Sequence, residues 1–193
     1  MLLRRLYDWT LSLAESRNAL WALAFVAFIE SSVFPIPPDV LMIPMIIARP
    51  SRAFLIAGVA TVASVLGGLA GYAIGALAME TIGDPILEAL GKEDARDAFN
   101  ERFVGVGFWA VLVAGITPFP FKVITIMSGA TSMPLATFVV TAIIARALRF
   151  FLVAALLWQF GAPIRDFIER RLGLVFIAFC VVLIGGFYLV RLL

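Results

Sequence analysis

Five ionisable side chains lie inside otherwise apolar stretches of this sequence. They are two carboxylates and three cations: Glu30, Asp39, Lys122, Arg146 and Arg149. An unpaired charge at the centre of a membrane-spanning helix costs about 2.5–3.5 kcal/mol, so we expect these side chains to pair, to face water or to bind a ligand. The three cations exceed the two carboxylates by one positive charge. The set therefore indicates a polar cavity in which cations hold an anionic group and a carboxylate takes a proton.

The same residues also have a purely structural interpretation, in which a neutralised cluster of ion pairs pins segments together and binds nothing. We favour the cavity because the charges gather at two proline-rich breaks. Glu30 precedes one break by about a helical turn, whereas Asp39 and Lys122 directly follow the two breaks. Arg146 and Arg149 are three residues apart and share one helix face.

The composition places these charges in a membrane protein. Of the 193 residues, 63% are hydrophobic and 15% are charged, against about 25% charged in an average soluble domain. The net charge of +2 is too small to indicate a nucleic-acid partner. The chain has no His and one Cys, which excludes His-based acid–base catalysis and an ordinary zinc or copper site. We expect no catalytic residue, no metal site and no cofactor. We accordingly predict a protein that is not an enzyme and whose partner is the bilayer.

The apolar residues form five blocks, two of which are broken by prolines. A membrane-spanning helix needs about 20 residues, and neither broken block divides into two such lengths. We therefore predict that each broken block enters the bilayer, turns at its prolines and returns as a re-entrant hairpin. The single membrane domain, residues 1–193, would comprise an interfacial helix (1–17), a first hairpin (18–48), a transmembrane helix (53–79), an acidic amphipathic loop (80–102), a second hairpin (103–133), and transmembrane helices at 134–160 and 172–193.

Loop charges favour this topology. With re-entrant hairpins and a cytoplasmic N-terminus, eight basic residues lie on the cytoplasmic side and four on the other side, as the positive-inside rule requires. If each broken block instead spanned once as a kinked helix, Arg49 and Arg52 would move outside and the acidic loop inside. That alternative fits the rule less well.

The two broken blocks also resemble each other in sequence. The segment Pro35-Ile36-Pro37-Pro38-Asp39 aligns with Pro118-Phe119-Pro120-Phe121-Lys122, 83 residues later. Each is followed by a long apolar helix, so the two hairpins would enter from opposite faces as an inverted repeat, which marks the substrate site in many transporters. The predicted hairpin tips are Pro35, Pro37, Pro38, Pro118 and Pro120.

Small residues follow one stripe of the predicted 53–79 helix, at Gly67, Gly71 and Gly75. This spacing lets another backbone approach closely. Packing against a hairpin is the favoured interpretation, and a seam between two copies of the chain, giving a homodimer, is the alternative.

These motifs resemble the DedA family, also called the SNARE-associated or VTT-domain family, and most closely its YqaA-like branch. The resemblance covers about residues 20–160. It is carried by Glu30, Phe34-Pro35-Ile36-Pro37-Pro38-Asp39, Gly67-Gly68-Leu69-Ala70-Gly71-Tyr72-Ala73-Ile74-Gly75, Thr117-Pro118-Phe119-Pro120-Phe121-Lys122, Ser128-Gly129-Ala130 and Arg146-Ala147-Leu148-Arg149-Phe150.

The resemblance implies a multi-pass protein of the bacterial inner membrane with two opposed re-entrant hairpins. It further implies flipping or scrambling of a lipid with an anionic head group, such as undecaprenyl phosphate or a phospholipid. The family's dependence on the proton motive force maps onto Glu30 and Asp39. Many members carry two Arg residues six positions apart in the second hairpin, where this chain has Ile116 and Lys122. This departure leaves the identity of the lipid open.

The leading hypothesis is therefore a lipid-phosphate flippase. Lys122, Arg146 and Arg149 would hold the phosphate while Glu30 and Asp39 couple its movement to protons. A non-catalytic membrane scaffold with structural charges is the first alternative. A membrane-embedded lipid phosphatase is the second, although Asp39 or a serine would then have to act without His or metal.

Overall fold

The structure, a computed structural model, describes residues 18–33, 37–89, 106–117, 119–161 and 163. Within these ranges every regular element is helical. The predicted interfacial helix (1–17) and the predicted C-terminal span (172–193) lie outside them. So do residues 90–102 of the predicted acidic loop and the tip residues Pro35 and Pro118.

The described chain forms seven α-helices, two of them long. A short 3₁₀ turn, Pro50–Arg52, leads into the first long helix. The helices are α1 (Ala19–Ser32), α2 (Asp39–Ala48), α3 (Ala53–Ala78), α4 (Asp84–Ala89), α5 (Val106–Ile116), α6 (Phe121–Ala130) and α7 (Leu135–Gly161). We call α1 and α2 the first helix pair, and α5 and α6 the second helix pair.

Prolines divide each pair. Pro38 directly precedes α2, and Pro120 directly precedes α6. Proline has no backbone N–H and disfavours helical geometry in the residue before it, so a preceding helix ends and a new one starts at the ring. At 1.5 Å per residue, the 14 residues of α1 reach only about 21 Å and the 10 residues of α2 about 15 Å. A hydrocarbon core is about 30 Å thick, so these helices are too short to cross it alone.

Helix α3 continues beyond the predicted boundary at residue 79. A π-helical turn, Met79–Gly83, joins it to α4, so that Pro50–Ala89 is one continuous 40-residue helical segment. The turn widens directly before Pro85, whose ring has no N–H to donate to the preceding turn. The segment predicted as an acidic amphipathic loop (80–102) therefore begins as a helical continuation of α3.

Among the described residues, two helices, Pro50–Ala89 and Leu135–Gly161, are long and apolar enough to cross a membrane. Their outer faces carry large apolar side chains that a protein in water would have to bury. On α7 the exposed residues include Val140, Ile144, Leu148, Leu152 and Leu156. This outward apolar surface is typical of helices in contact with lipid.

The long helices α3 and α7 run antiparallel. The Phe54 ring near the start of α3 lies 6.3 Å from Phe151 and 5.9 Å from Trp158 near the end of α7. At the other end, the Tyr72 ring of α3 lies 5.2 Å from Phe138 of α7.

Two apolar clusters divide the core along these helices. The first helix pair packs with the start of α3 and the end of α7, through Leu23, Met42, Ile46, Ala57 and Phe150. The second helix pair packs with the end of α3 and the start of α7, through Tyr72, Val111, Phe121, Phe138 and Ala142. The two helix pairs therefore lie toward opposite ends of α3 and α7.

The glycine stripe of α3 faces helices of both pairs. A Cβ at Gly67 would strike the carbonyl of Phe28 in α1, and a Cβ at Gly75 would strike the carbonyl of Ile126 in α6. A Cβ at Gly71, between them, would strike the Thr125 hydroxyl of α6. Only glycine allows these backbone approaches, so the stripe packs against both helix pairs within one chain.

Candidate functional site

The predicted charged residues meet between the two apolar clusters, midway along the long helices. Arg146 and Arg149 lie on α7 between Ala142 and Phe150. Ala142 belongs to the apolar cluster of the second helix pair, and Phe150 belongs to that of the first helix pair. Ser64 lies at the corresponding middle of α3. The site therefore lies near the middle of both long helices, far from their ends.

The centre of the site is an ion pair between Arg146 and Glu30. Arg146 Nη2 donates to Glu30 Oε2 at 2.9 Å, which joins α7 to α1. The Arg146 side chain is 1% exposed and that of Glu30 is 10% exposed. Burial at this depth removes both ions from water, so the charges depend on each other and on neighbouring dipoles.

Two phenylalanine rings enclose the Arg146 guanidinium. Its Cζ lies 4.8 Å from the Phe121 ring centroid and 4.5 Å from that of Phe150. Phe121 is the first residue of α6, directly after the break of the second helix pair, and Phe150 follows Arg149 on α7. Both rings are fully buried. Cation–π attraction of this kind strengthens where water is excluded.

The guanidinium retains unused hydrogen-bond donors. Its Nε and Nη1 atoms are buried and have no partner among the residues that the structure describes. A buried N–H without an acceptor costs about 1–3 kcal/mol, more when the group is charged. Such a group indicates an acceptor that the described residues do not supply.

A pair of serines extends the environment of Glu30. Ser31 Oγ donates to Glu30 Oε2 at 3.1 Å, and it lies 2.6 Å from Ser64 Oγ of α3. The Thr125 hydroxyl of α6 donates to the Ser31 carbonyl at 3.0 Å. These bonds link α1, α3 and α6 and fix the carboxylate that Arg146 contacts.

A second ion pair joins α7 to the start of α2. Arg149 Nη2 donates to Asp39 Oδ2 at 2.6 Å, and both side chains are 16% exposed. Arg149 Nη1 also donates to the Thr117 carbonyl at 2.7 Å. Asp39 is the first residue of α2, where a negative charge is favoured by the helix dipole. Thr117 follows the end of α5, where a cation is favoured.

Lys122 contacts the other broken helix. Its Nζ donates to the Val33 carbonyl at 3.0 Å, at the end of α1. Lys122 and Arg149 thus each place a cation on a carbonyl that ends the first helix of a pair. This interaction satisfies a carbonyl that the interrupted helix leaves without a partner.

The structure therefore brings all five predicted residues into one region, but the three cations have different partners. Arg146 and Arg149 each hold a carboxylate, while Lys122 holds a backbone carbonyl. The five groups retain one excess positive charge. Of the three cations, Arg146 is the most deeply buried and the one whose unpartnered donors are identified. An anion with several oxygen acceptors suits these groups chemically.

The structure describes three of the five predicted tip prolines. Pro38 is buried and Pro37 and Pro120 are half-buried. They lie directly before α2 and α6, beside the charged residues Asp39 and Lys122.

Sequence reasoning missed the uncharged members of the site. Phe121, Phe150 and Ser31 contact the charged groups, and Ser64 and Thr125 contact Ser31, yet none was a candidate. The serines carried a usable signal, because Ser31 directly follows Glu30 and Ser64 interrupts the apolar run before the glycine stripe. The phenylalanines carried none, since the chain has 17 of them.

Comparisons with known proteins agree with the motifs quoted above. The VTT domain model matches residues 32–159. An uncharacterized protein of Haemophilus influenzae is 40% identical over 168 residues, covering 85% of this chain and 87% of that protein. An uncharacterized protein of Histophilus somni is 40% identical over 184 residues, covering 93% of each chain. No solved structure matches the chain significantly. The chain is thus a membrane protein of the VTT-domain family, the DedA family, as its sequence motifs predicted.

Proposed function

We propose that this protein is a transporter that moves a lipid phosphate between the leaflets of the bacterial inner membrane. The observation that carries the proposal is the buried Arg146, whose Nε and Nη1 groups lack a partner among the described residues. The phosphate head would accept hydrogen bonds from these groups while its lipid tail stays in the bilayer. Undecaprenyl phosphate and phospholipids both carry suitable oxygens, and membership of the VTT-domain family supports a lipid substrate.

The arrangement of the short helices supports alternating access. The two helix pairs pack at opposite ends of α3 and α7, and their proline breaks meet at the charged site. If α3 and α7 span the membrane, the pairs are re-entrant hairpins of opposite orientation, related as an inverted repeat. Broken helices that meet near the midplane provide a binding site reachable from either side.

Charge balance within the site supports coupling to protons. The two carboxylates and three cations sum to one positive charge, which a phosphate monoanion would neutralise. A phosphomonoester dianion would leave one negative charge, and one proton on Glu30 would then restore neutrality. Phosphate and proton would then bind with positive coupling, as symport requires. Asp39, paired with Arg149, is the second candidate for carrying a proton.

Two other functions have weaker support. A structural scaffold accounts for both ion pairs but leaves the unused donors of Arg146 without a purpose. A lipid phosphatase requires a nucleophile or an activated water. Asp39 would be that nucleophile, yet its carboxylate is engaged by Arg149.

Reconstitution separates the three functions. Proteoliposomes would receive labelled undecaprenyl phosphate or labelled phospholipids, with and without an imposed pH gradient. We expect faster equilibration of one of these lipids between leaflets, and faster movement still under the gradient. Lipid movement no faster in proteoliposomes than in protein-free liposomes would favour the scaffold. Release of inorganic phosphate would identify a phosphatase.

A further inference from the structure

Two aromatic rings lie against the guanidinium of Arg146. The Phe121 and Phe150 centroids lie 4.8 Å and 4.5 Å from its Cζ, and both rings are fully buried. The rings come from different elements, α6 and α7, so both contacts form only when the start of α6 packs against α7. One guanidinium nitrogen, Nη2, donates to Glu30.

From this geometry we propose that Phe121 and Phe150 are positioning residues for the substrate. They hold the charged guanidinium of Arg146 against their faces while its unpartnered Nε and Nη1 groups donate to a ligand. This inference rests on the proposed function, because it concerns how the same site selects its lipid.

The rings constrain the chemistry of the ligand. The unpartnered Nε and Nη1 groups suit a ligand with several oxygen acceptors, such as phosphate. The buried rings exclude water that would compete for these N–H donors. A lysine at this position has the charge but not the planar set of donors, so it would not substitute for Arg146.

The rings also act on the cation itself. The negative face of each ring stabilises the guanidinium charge in a site that has little water. This support lets Arg146 remain charged while it shares only one carboxylate. Weakening it should reduce affinity for an oxyanion even when the shape of the site is unchanged.

The test measures binding of farnesyl phosphate to the purified protein in a phosphorus-free detergent. Phe121→Leu and Phe150→Leu remove a ring, whereas pentafluorophenylalanine at either position keeps the shape and abolishes the negative ring face. Phe138→Leu is the matched control, because Phe138 is also fully buried and belongs to the same apolar cluster as Phe121. Melting temperatures of all variants are measured in parallel.

We expect each Leu or pentafluoro variant to raise the Kd for farnesyl phosphate about tenfold, while Phe138→Leu keeps a Kd close to that of the parent. If the Leu variants fail to fold, the pentafluoro variants decide. Parent-like affinity in both pentafluoro variants would overturn the positioning role and leave the proposed function standing. A parent protein that does not bind farnesyl phosphate would overturn both.

Discussion

Arg146 and Glu30 form a buried ion pair, with 2.9 Å between Nη2 and Oε2, across helices that are 116 residues apart in sequence. The pair uses one nitrogen of the guanidinium and leaves Nε and Nη1 without a partner among the described residues. A pair that served only to hold α1 against α7 would be expected to satisfy those donors as well. Arg146 thus keeps unused buried donors, whereas both terminal nitrogens of Arg149 donate to an acceptor.

The two ion pairs should differ in their contribution to stability. Arg146→Ala leaves the Glu30 carboxylate buried and unpaired, so we expect it to lower the free energy of unfolding by about 3–5 kcal/mol. Arg149→Ala should cost less, since its pair with Asp39 is 16% exposed and the released carboxylate gains water. Denaturation in detergent, followed by circular dichroism, measures both changes. A larger loss for Arg149→Ala would contradict the assigned burial.

Glycine substitutions test the packing of α3. Gly75→Ala places a methyl group against the Ile126 carbonyl of α6, so we expect it to destabilise the protein by about 1–3 kcal/mol. Gly58→Ala, on the same helix, is the matched control because nothing lies within 4 Å of its added Cβ. There the gain in helix propensity should leave stability unchanged or raise it by up to about 1 kcal/mol. Equal effects of the two substitutions on melting temperature would argue against the close contact between α3 and α6.

Labelling tests the re-entrant topology. In a chain with Cys180 replaced by serine, a cysteine at a position in 92–97 should react with an impermeant thiol reagent from the periplasmic side. A cysteine at a position in 165–170 should react only after lysis. Mass-shift gels on intact and lysed cells read both results. If the two positions react from the same side of the membrane, at least one helix pair crosses the membrane and does not return to the side from which it entered.

Proton coupling is tested at Glu30. Glu30→Gln mimics the protonated carboxyl and keeps an acceptor for Arg146, so we expect it to bind and move lipid phosphate without a response to the pH gradient. Asp39→Asn is the companion variant, because Asp39 pairs with the second arginine. The measurement is transport in proteoliposomes with and without the gradient. Parent-like acceleration of Glu30→Gln by the gradient would remove Glu30 from the coupling.

Much of the fold followed from local sequence. The prolines before Asp39 and Phe121 predicted where short helices begin, since their effect on the backbone is local. The extension of α3 past residue 79 did not follow, because the pattern at Asp84-Pro85 fits both a new helix and a helix continued through a π-turn. Sequence alone does not decide between them.

The site was predictable in its charges but not in its pairing. Five ionisable residues in apolar blocks had to be accommodated somewhere. Which carboxylate meets which arginine depends on how α7 packs against α1 and α2, and no local rule connects residues more than 100 positions apart. Nor could the enclosing rings of Phe121 and Phe150 be singled out in a chain rich in phenylalanine.

The central claim is that Arg146 holds the phosphate of a lipid, and solid-state NMR tests it directly. The protein would carry ¹⁵N-labelled arginine side chains and be reconstituted in a phosphorus-free bilayer with farnesyl phosphate as the sole source of ³¹P. We predict dephasing of an arginine side-chain ¹⁵N signal by ³¹P that disappears in Arg146→Lys and persists in Gly58→Ala. No dephasing in the parent, or dephasing that survives in Arg146→Lys, would contradict the claim.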